Sequence, residues 1–201
     1  MSIQIEVDYN NKDKAKEKGA FWDTELKTWY IPDKKRIDDF LEFLPKDIDL
    51  IVKNPFFIAK SFRNCWKCGE RTPLVTIGAQ KFIALDYDEE KDSDIWKVHN
   101  ELTYFHYIKY LPKHIITLIT TQFPFYKQTF SKTIQDSYWA NNCIHCGVLQ
   151  GDYENFNEPS GTFLPIFPED PKIELTSVDL KHDFPLIGDS SYGDVDFVIF
   201  K

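Results

Sequence analysis

The sequence predicts an α+β protein: a small β-α-β-α module at residues 1–46, then a mostly β domain over residues 60–201. Three observations carry this. Ile3, Ile5 and Val7 alternate with polar residues, the period-2 pattern of a half-buried strand. Ile37, Phe40, Leu41 and Leu44 fall at i, i+3, i+4 and i+7, the stripe of an amphipathic helix. All four cysteines fall in two matching C-x-x-C-G elements, Cys65–Gly69 and Cys143–Gly147, with 74 residues between the two cysteine pairs. The second domain is therefore expected to be built around those cysteines and to hold a long insertion, with residues 47–59 as the linker.

Each element follows from local chemistry. Asn10 or Asn11 caps a short helix over Lys12–Lys18, and Gly19 suits its C-terminal end. Thr28–Ile31 is a short aromatic and β-branched strand stopped by Pro32. Asp33 caps a second helix that Pro45 ends. Thr72–Asp86 reads as one or two strands with a turn at Gly78–Ala79. The stretch 86–94 is an acidic loop. It is not an EF-hand, because Lys91 and Lys97 stand where that loop needs Gly and Glu. Pro112 opens a helix running to about Gln122. Residues 125–131 and 137–142 are strands leading into the second C-x-x-C. Ile173–Val178 and Phe197–Phe200 are the last strands, and the latter is too apolar to be a free tail.

Composition bounds the function. The chain has 201 residues, of which 42% are hydrophobic, 28% charged and 16% aromatic, which excludes a disordered or collagenous chain. Ile115–Ile119 is far short of the roughly 20 apolar residues of a membrane span. Residues 1–12 lack a secretory apolar region, so a soluble cytoplasmic protein with no membrane partner is expected. The net charge is −8, and residues 151–201 account for it, with eleven acidic against three basic side chains. That average opposes unspecific polyanion binding. A local exception is Lys12, Lys14, Lys16 and Lys18, with Lys27, Lys34, Lys35 and Arg36 nearby.

A C-x-x-C turn aims two sulfurs at one point, and a following Gly takes the positive φ that turns backbone N–H groups toward them. Cys65, Cys68, Cys143 and Cys146 thus supply four thiolates for one structural Zn²⁺, in a zinc-ribbon-like arrangement. Two disulfides or a redox dithiol are the alternatives. A cytoplasmic setting opposes the first, and the absence of a surrounding βαβ pattern opposes the second. Iron in the same site would colour the protein. His145 sits inside the second turn and reads as a surface residue over the metal.

Val7, Tyr9, Lys14-Ala15-Lys16, Gly19-Ala20, Trp22-Asp23, Lys27 and Trp29-Tyr30-Ile31-Pro32 form a pattern. It resembles a small bacterial domain of unknown function that recurs in plasmid-type primases and other nucleic-acid enzymes. The resemblance covers about 45 residues. It implies a nucleic-acid context and brings no catalytic residue. Ser137–Asn142, Cys143-x-x-Cys146-Gly-x-x-Gln150-Gly-Asp152 and Glu158-Pro-Ser-Gly161 resemble uncharacterised bacterial four-cysteine zinc-ribbon proteins, a likeness that implies the zinc and no activity.

The aromatic residues of the N-terminal module read two ways. Trp22, Trp29 and Tyr30 beside lysines make a stacking platform for bases, worth about 1–3 kcal/mol per base. Alternatively, the tryptophans fill the core of a unit with little aliphatic surface. Tyr30 and the lysines are expected at the surface.

No catalytic motif emerges. There is no Gly-rich phosphate loop and no H-E-x-x-H. Gly188-Asp-Ser-Ser-Tyr192 is not a nucleophile elbow. His99, His106, His114 and His182 are scattered. The sequence therefore points to a non-enzymatic zinc-containing binding protein, engaging single-stranded DNA or RNA through Lys14, Lys16, Lys27, Trp29 and Tyr30. The alternative is an interaction module of immunity or regulatory type whose acidic C-terminal region binds a basic protein.

Overall fold

A computed structural model describes residues 2–201, with the backbone alone at positions 34 and 35. The N-terminal unit holds β1 (Ile3–Ile5), α1 (Lys12–Glu17), β2 (Phe21–Asp23) and β3 (Thr28–Ile31), and ends in a 3-10 segment, Lys34–Phe43. Its three strands form an antiparallel sheet in the order β1-β3-β2. Twelve further strands follow. They are β4 (Leu50–Val52), β5 (Phe56–Asn64), β6 (Arg71–Ala79), β7 (Phe82–Asp88), β8 (Ser93–His99), β9 (Thr103–Tyr110), β10 (Tyr126–Ser131), β11 (Asp136–Asn142), β12 (Leu149–Gln150), β13 (Ile173–Val178), β14 (Phe184–Tyr192) and β15 (Val198–Phe200). Two helices interrupt them, α2 (Lys113–Gln122) and α3 (Asp152–Phe156).

The α+β expectation is overturned: the protein is mostly β, with 45% of residues in strands and 18% helical. The β-α-β-α module is corrected with it. Between the first helix and the expected second strand lies an extra strand, β2, paired to β3 across a turn that Lys27 closes with φ 51°. The expected second helix is a 3-10 segment kinked at Arg36. Its burial shows why. Ile37, Phe40 and Phe43 are buried at spacing three, where 3-10 side chains eclipse, while Leu41 is 48% exposed. The apolar string fits both periods, and packing chooses the shorter.

Most of the remaining difference is strand that lacks clean alternation. The stretch 47–59 holds β4, buried at all three residues, and the start of β5. The acidic stretch 86–94 is the tip of the β7–β8 hairpin, with only residues 89–92 outside the strands.

The large sheet runs β15-β13-β5-β6-β9-β14-β4-β7-β8, and β11 leaves β9 to pair with β10 and β12. Neighbours are antiparallel except β13 and β15. One core lies between this sheet and α2, with Ile115 and Ile119 against Phe56, Ile77, Phe105 and Phe184. A second core contains Ile3, Ile5, Ile31 and Phe40 of the N-terminal unit together with Ile51 of β4 and Ile83 of β7. Backbone bonds add to this joint: Gln4 N–H donates to Asp183 O at 2.8 Å, and Asp183 N–H to Ser2 O at 3.0 Å.

Candidate metal centre and N-terminal groove

The two cysteine turns are built alike. The first closes the β5–β6 hairpin and the second joins β11 to β12. In each, the first Cys N–H donates across the turn, to Glu70 O and to Val148 O, both at 2.9 Å. In each, the Gly N–H donates back to the first Cys carbonyl at 2.9 Å, with φ 75° at Gly69 and 70° at Gly147. Lys67 N–H and His145 N–H each lie 3.4 Å from the sulfur of Cys65 and of Cys143.

The turns meet. All four sulfurs lie within 4.8 Å of one another, and Cys65···Cys146 and Cys68···Cys143 are both 3.7 Å. A tetrahedral Zn²⁺ with Zn–S near 2.3 Å needs sulfur edges of about 3.8 Å. The four close cysteines can therefore hold a metal ion such as zinc. Cys65 and Cys143 are buried, and Cys68 and Cys146 reach solvent. Burial acts to raise the Cys65 thiol, but the N–H groups of Cys68 and Lys67 and the neighbouring sulfurs outweigh it, bringing it down to about 6.

The sequence reading assigned no role to a further partner of this cluster. Gln150 is fully buried, and its Nε2 donates to Cys65 Sγ at 3.3 Å. Its signal in the sequence is its place four residues after Cys146, inside the pattern Cys143-x-x-Cys146-Gly-x-x-Gln150-Gly-Asp152. His145 is exposed, and its Nε2 lies 3.1 Å from Arg71 O, away from the sulfurs.

The N-terminal residues divide between two faces of their sheet. Trp29 packs edge-on to Trp22 at 5.6 Å, and Lys16 Nζ lies 6.0 Å from the Trp29 ring. Tyr30 points the other way, as its neighbour in a strand must. It is half-buried between Phe21 at 5.9 Å and His182 at 4.2 Å. The expectation that Tyr30 lies at the surface is corrected by that stack. Lys14 is paired with Glu42, which Lys18 also meets at 2.6 Å. The side chains of Lys34 and Lys35 lie outside the described residues.

Trp22, Lys27 and Trp29 line a groove of about 1190 Å³ between the N-terminal unit and the start of α2. Lys46, Lys113 and His114 line its other side.

Residues 3–45 match the family model of a domain of unknown function, DUF5710. Neither the curated proteins nor the solved structures contain a match to the chain. The DUF5710 segment ends just before β4, so its match spans the three-stranded sheet and the 3-10 segment and stops short of the cysteines.

A second cleft, of about 430 Å³, lies outside the DUF5710 segment. Asp49, Asp136 and Asp189 line it with Tyr107 and Lys109. Lys109 pairs with Asp136 at 2.7 Å, and burial pushes the Asp49 carboxyl up to about 6. Several acidic side chains of the C-terminal quarter are spent internally: Glu154 on Arg63 at 3.0 Å, Glu174 on Lys201 at 2.7 Å, and Asp170 on the N–H groups of Ile166 and Phe167.

Proposed function

We propose that the protein is a binding protein in which Cys65, Cys68, Cys143 and Cys146 hold one structural Zn²⁺, and that it takes single-stranded nucleic acid along the groove beside Trp22 and Trp29. The donor set supports the first half: four thiolates with sulfur edges near the tetrahedral value form a closed site. The metal would clamp the β5–β6 turn to the β11–β12 turn and leave no open coordination position for chemistry.

The observation that carries the second half is the Trp22–Trp29 pair. Trp22 is 46% exposed and lines the groove with Trp29 and Lys27, and Lys16 Nζ lies 6.0 Å from the Trp29 ring. Base stacking on aromatic rings flanked by cations is a recurrent route to sequence-tolerant single-strand binding. Tyr30 drops out of the contact set, since its ring is already covered.

The test is fluorescence anisotropy with labelled single-stranded DNA and RNA at about 50 and 200 mM salt, a range over which phosphate contacts weaken strongly. Saturable, salt-sensitive binding that Lys27→Ala and Trp22→Ala reduce supports the reading. Absence of binding at low salt overturns it. Metal analysis giving about one zinc per chain supports the clamp, and four free thiols with no metal overturn it.

A further inference from the structure

Each cysteine turn exposes one of its two sulfurs. Cys68 and Cys146 reach solvent, while Cys65 is 2% and Cys143 is 3% exposed. Donors hold the buried sulfurs in place. Gln150 Nε2 donates to Cys65 Sγ at 3.3 Å, and Lys67 N–H and His145 N–H lie 3.4 Å from Cys65 Sγ and Cys143 Sγ. The outer pair, Cys68 and Cys146, is what a small oxidant in solution can reach, and exposure of a thiolate is what selects it for oxidation.

The pairing of the sulfurs follows the same division. Cys146 Sγ lies 3.7 Å from Cys65 Sγ, and Cys68 Sγ lies 3.7 Å from Cys143 Sγ. Each of these pairs joins a reachable sulfur on one turn to a buried sulfur on the other. Closing the gap to the roughly 2.0 Å of a disulfide is within the range of side-chain rotation. An oxidised outer sulfur therefore has its resolving thiolate beside it.

The consequences for the chain differ between the possible bonds. Cys65 and Cys146 stand 81 positions apart, and Cys68 and Cys143 stand 75 apart. Bonds across the turns close long loops, where a crosslink restrains the unfolded chain most. A bond within one C-x-x-C turn closes a trivial loop and leaves the two turns unconnected.

We propose that the cysteine cluster is a peroxide-sensitive clamp, in which hydrogen peroxide oxidises Cys68 and Cys146 and each is trapped as a disulfide with its buried partner on the opposite turn. The Cys146 thiolate attacks one peroxide oxygen, the O–O bond breaks and hydroxide leaves, giving the sulfenic acid of Cys146. The Cys65 thiolate then attacks the Cys146 sulfur and displaces its hydroxyl as hydroxide. The two thiolates give up two electrons, the peroxide takes them, and two protons from solvent turn both hydroxides into water. Cys68 and Cys143 follow the same steps with a second peroxide. Bound metal is released because its thiolates are consumed, yet the β5–β6 turn stays tied to the β11–β12 turn. The proposal rests on the zinc reading of the same cluster only for the metal that is released.

The test uses the full chain, reduced, loaded with zinc and desalted. It is treated with hydrogen peroxide at about tenfold molar excess. A chromogenic chelator reads the released zinc, with an untreated sample as control, and mass spectrometry of non-reduced peptides reads the connectivity. About one zinc per chain should be released. The peptides should show Cys65 joined to Cys146 and Cys68 joined to Cys143, and dithiothreitol should restore zinc uptake. The oxidised, metal-free chain should melt within about 5 °C of the zinc form, and the reduced, metal-free chain at least about 10 °C lower. Bonds within the turns, Cys65 to Cys68 and Cys143 to Cys146, overturn the cross-turn clamp. So does an oxidised chain that melts as low as the reduced, metal-free one. Sulfinic acid at Cys68 or Cys146 with no disulfide overturns the trapping step. Zinc retained over four unmodified thiols overturns the peroxide site and leaves the zinc reading standing. A reduced chain that takes up no zinc but still forms the two cross-turn disulfides keeps the oxidation site and overturns the zinc reading.

Discussion

The imidazole of His182 lies flat on the phenol ring of Tyr30, with centroids 4.2 Å apart and planes 18° from parallel. Its Nε2 is 3.1 Å from Asp23 Oδ2 and its Nδ1 is 2.7 Å from Ser2 Oγ. One ring from the loop before β14 thus meets three residues of the N-terminal unit. Asp23 in turn caps the turn after β2, accepting Glu25 N–H at 2.8 Å and Leu26 N–H at 2.9 Å. This is a joint, and it uses the face of Tyr30 that a base would need.

Tyr30→Ala should therefore act on stability and leave oligonucleotide affinity within about twofold. Losing a stacked, half-buried ring costs about 1–3 kcal/mol. Tyr30→Phe keeps the stack and should be close to neutral. Urea melts beside anisotropy titrations separate the two effects. A large affinity loss at unchanged stability would return Tyr30 to the binding surface.

Asn141 ties the two arms of the metal centre together. On β11, just before the second cysteine turn, its Oδ1 accepts Val75 N–H at 2.8 Å and its Nδ2 donates to Val75 O at 2.9 Å. The side chain thus pairs with β6, which starts after the first turn. Asn141→Ala strands two buried backbone groups and should cost about 2–5 kcal/mol. It should also speed metal loss to a chelator, because the arms lose the bond that sets their separation. Unchanged release rates would mean that the cysteines alone fix the geometry.

How far these arrangements were legible depends on the distance over which each is decided. The cysteine turns are local: four residues and a glycine dictate the backbone, and the meeting of the sulfurs follows from metal chemistry. Gln150 stands in the Cys143–Asp152 pattern, but its role shows only where β12 brings its amide against Cys65. The Asp33–Leu44 apolar string suits a period of 3.6 and a period of three, so only Phe43 in the core reveals the 3-10 winding. β4 and β5 hide among Lys53, Asn54 and Pro55, which read as a linker although strands flank them on both sides. Trp29 and Tyr30 are neighbours of similar chemistry. Which one faces the groove depends on the register of β3 against β1 and β2, and composition carries no information on that.

Asp152 gives the fold a pH dependence. It is 3% exposed and accepts Tyr107 N–H at 2.7 Å, at a point in β9 where Tyr107 has φ 47°. Burial is the largest influence and pushes its carboxyl up to about 7; the Tyr107 N–H opposes this and the Asp189 charge reinforces it. The native state therefore keeps a proton that the unfolded chain releases from about pH 4 upward. Its stability contribution is greatest at low pH and is lost as pH rises through 7. Asp152→Asn keeps an acceptor for Tyr107 and removes the ionisation. Relative to the parent, the variant should gain about 1–3 kcal/mol on going from pH 5 to pH 8 in urea melts. A pH-independent difference would mean that the buried carboxyl does not titrate in this range.

Trp22 and Trp29 separate the binding reading from the core reading most sharply. Trp29 is paired with Ile5 across the sheet and packs against the core containing Ile3, Ile31 and Phe40, so Trp29→Ala removes both packing and platform. It should cost about 3 kcal/mol or more. Trp22 keeps nearly half its surface in solvent, and Trp22→Ala should cost far less while still weakening oligonucleotide binding severalfold. Lys27→Ala, at the same rim, should lower the slope of log affinity against log salt by about one phosphate contact, which Trp22→Ala should leave alone. Stacking and charge would then be read from two variants on one surface. If Trp22→Ala moved only the melting temperature, both tryptophans would belong to the core, and the groove would be left to its lysines and the start of α2.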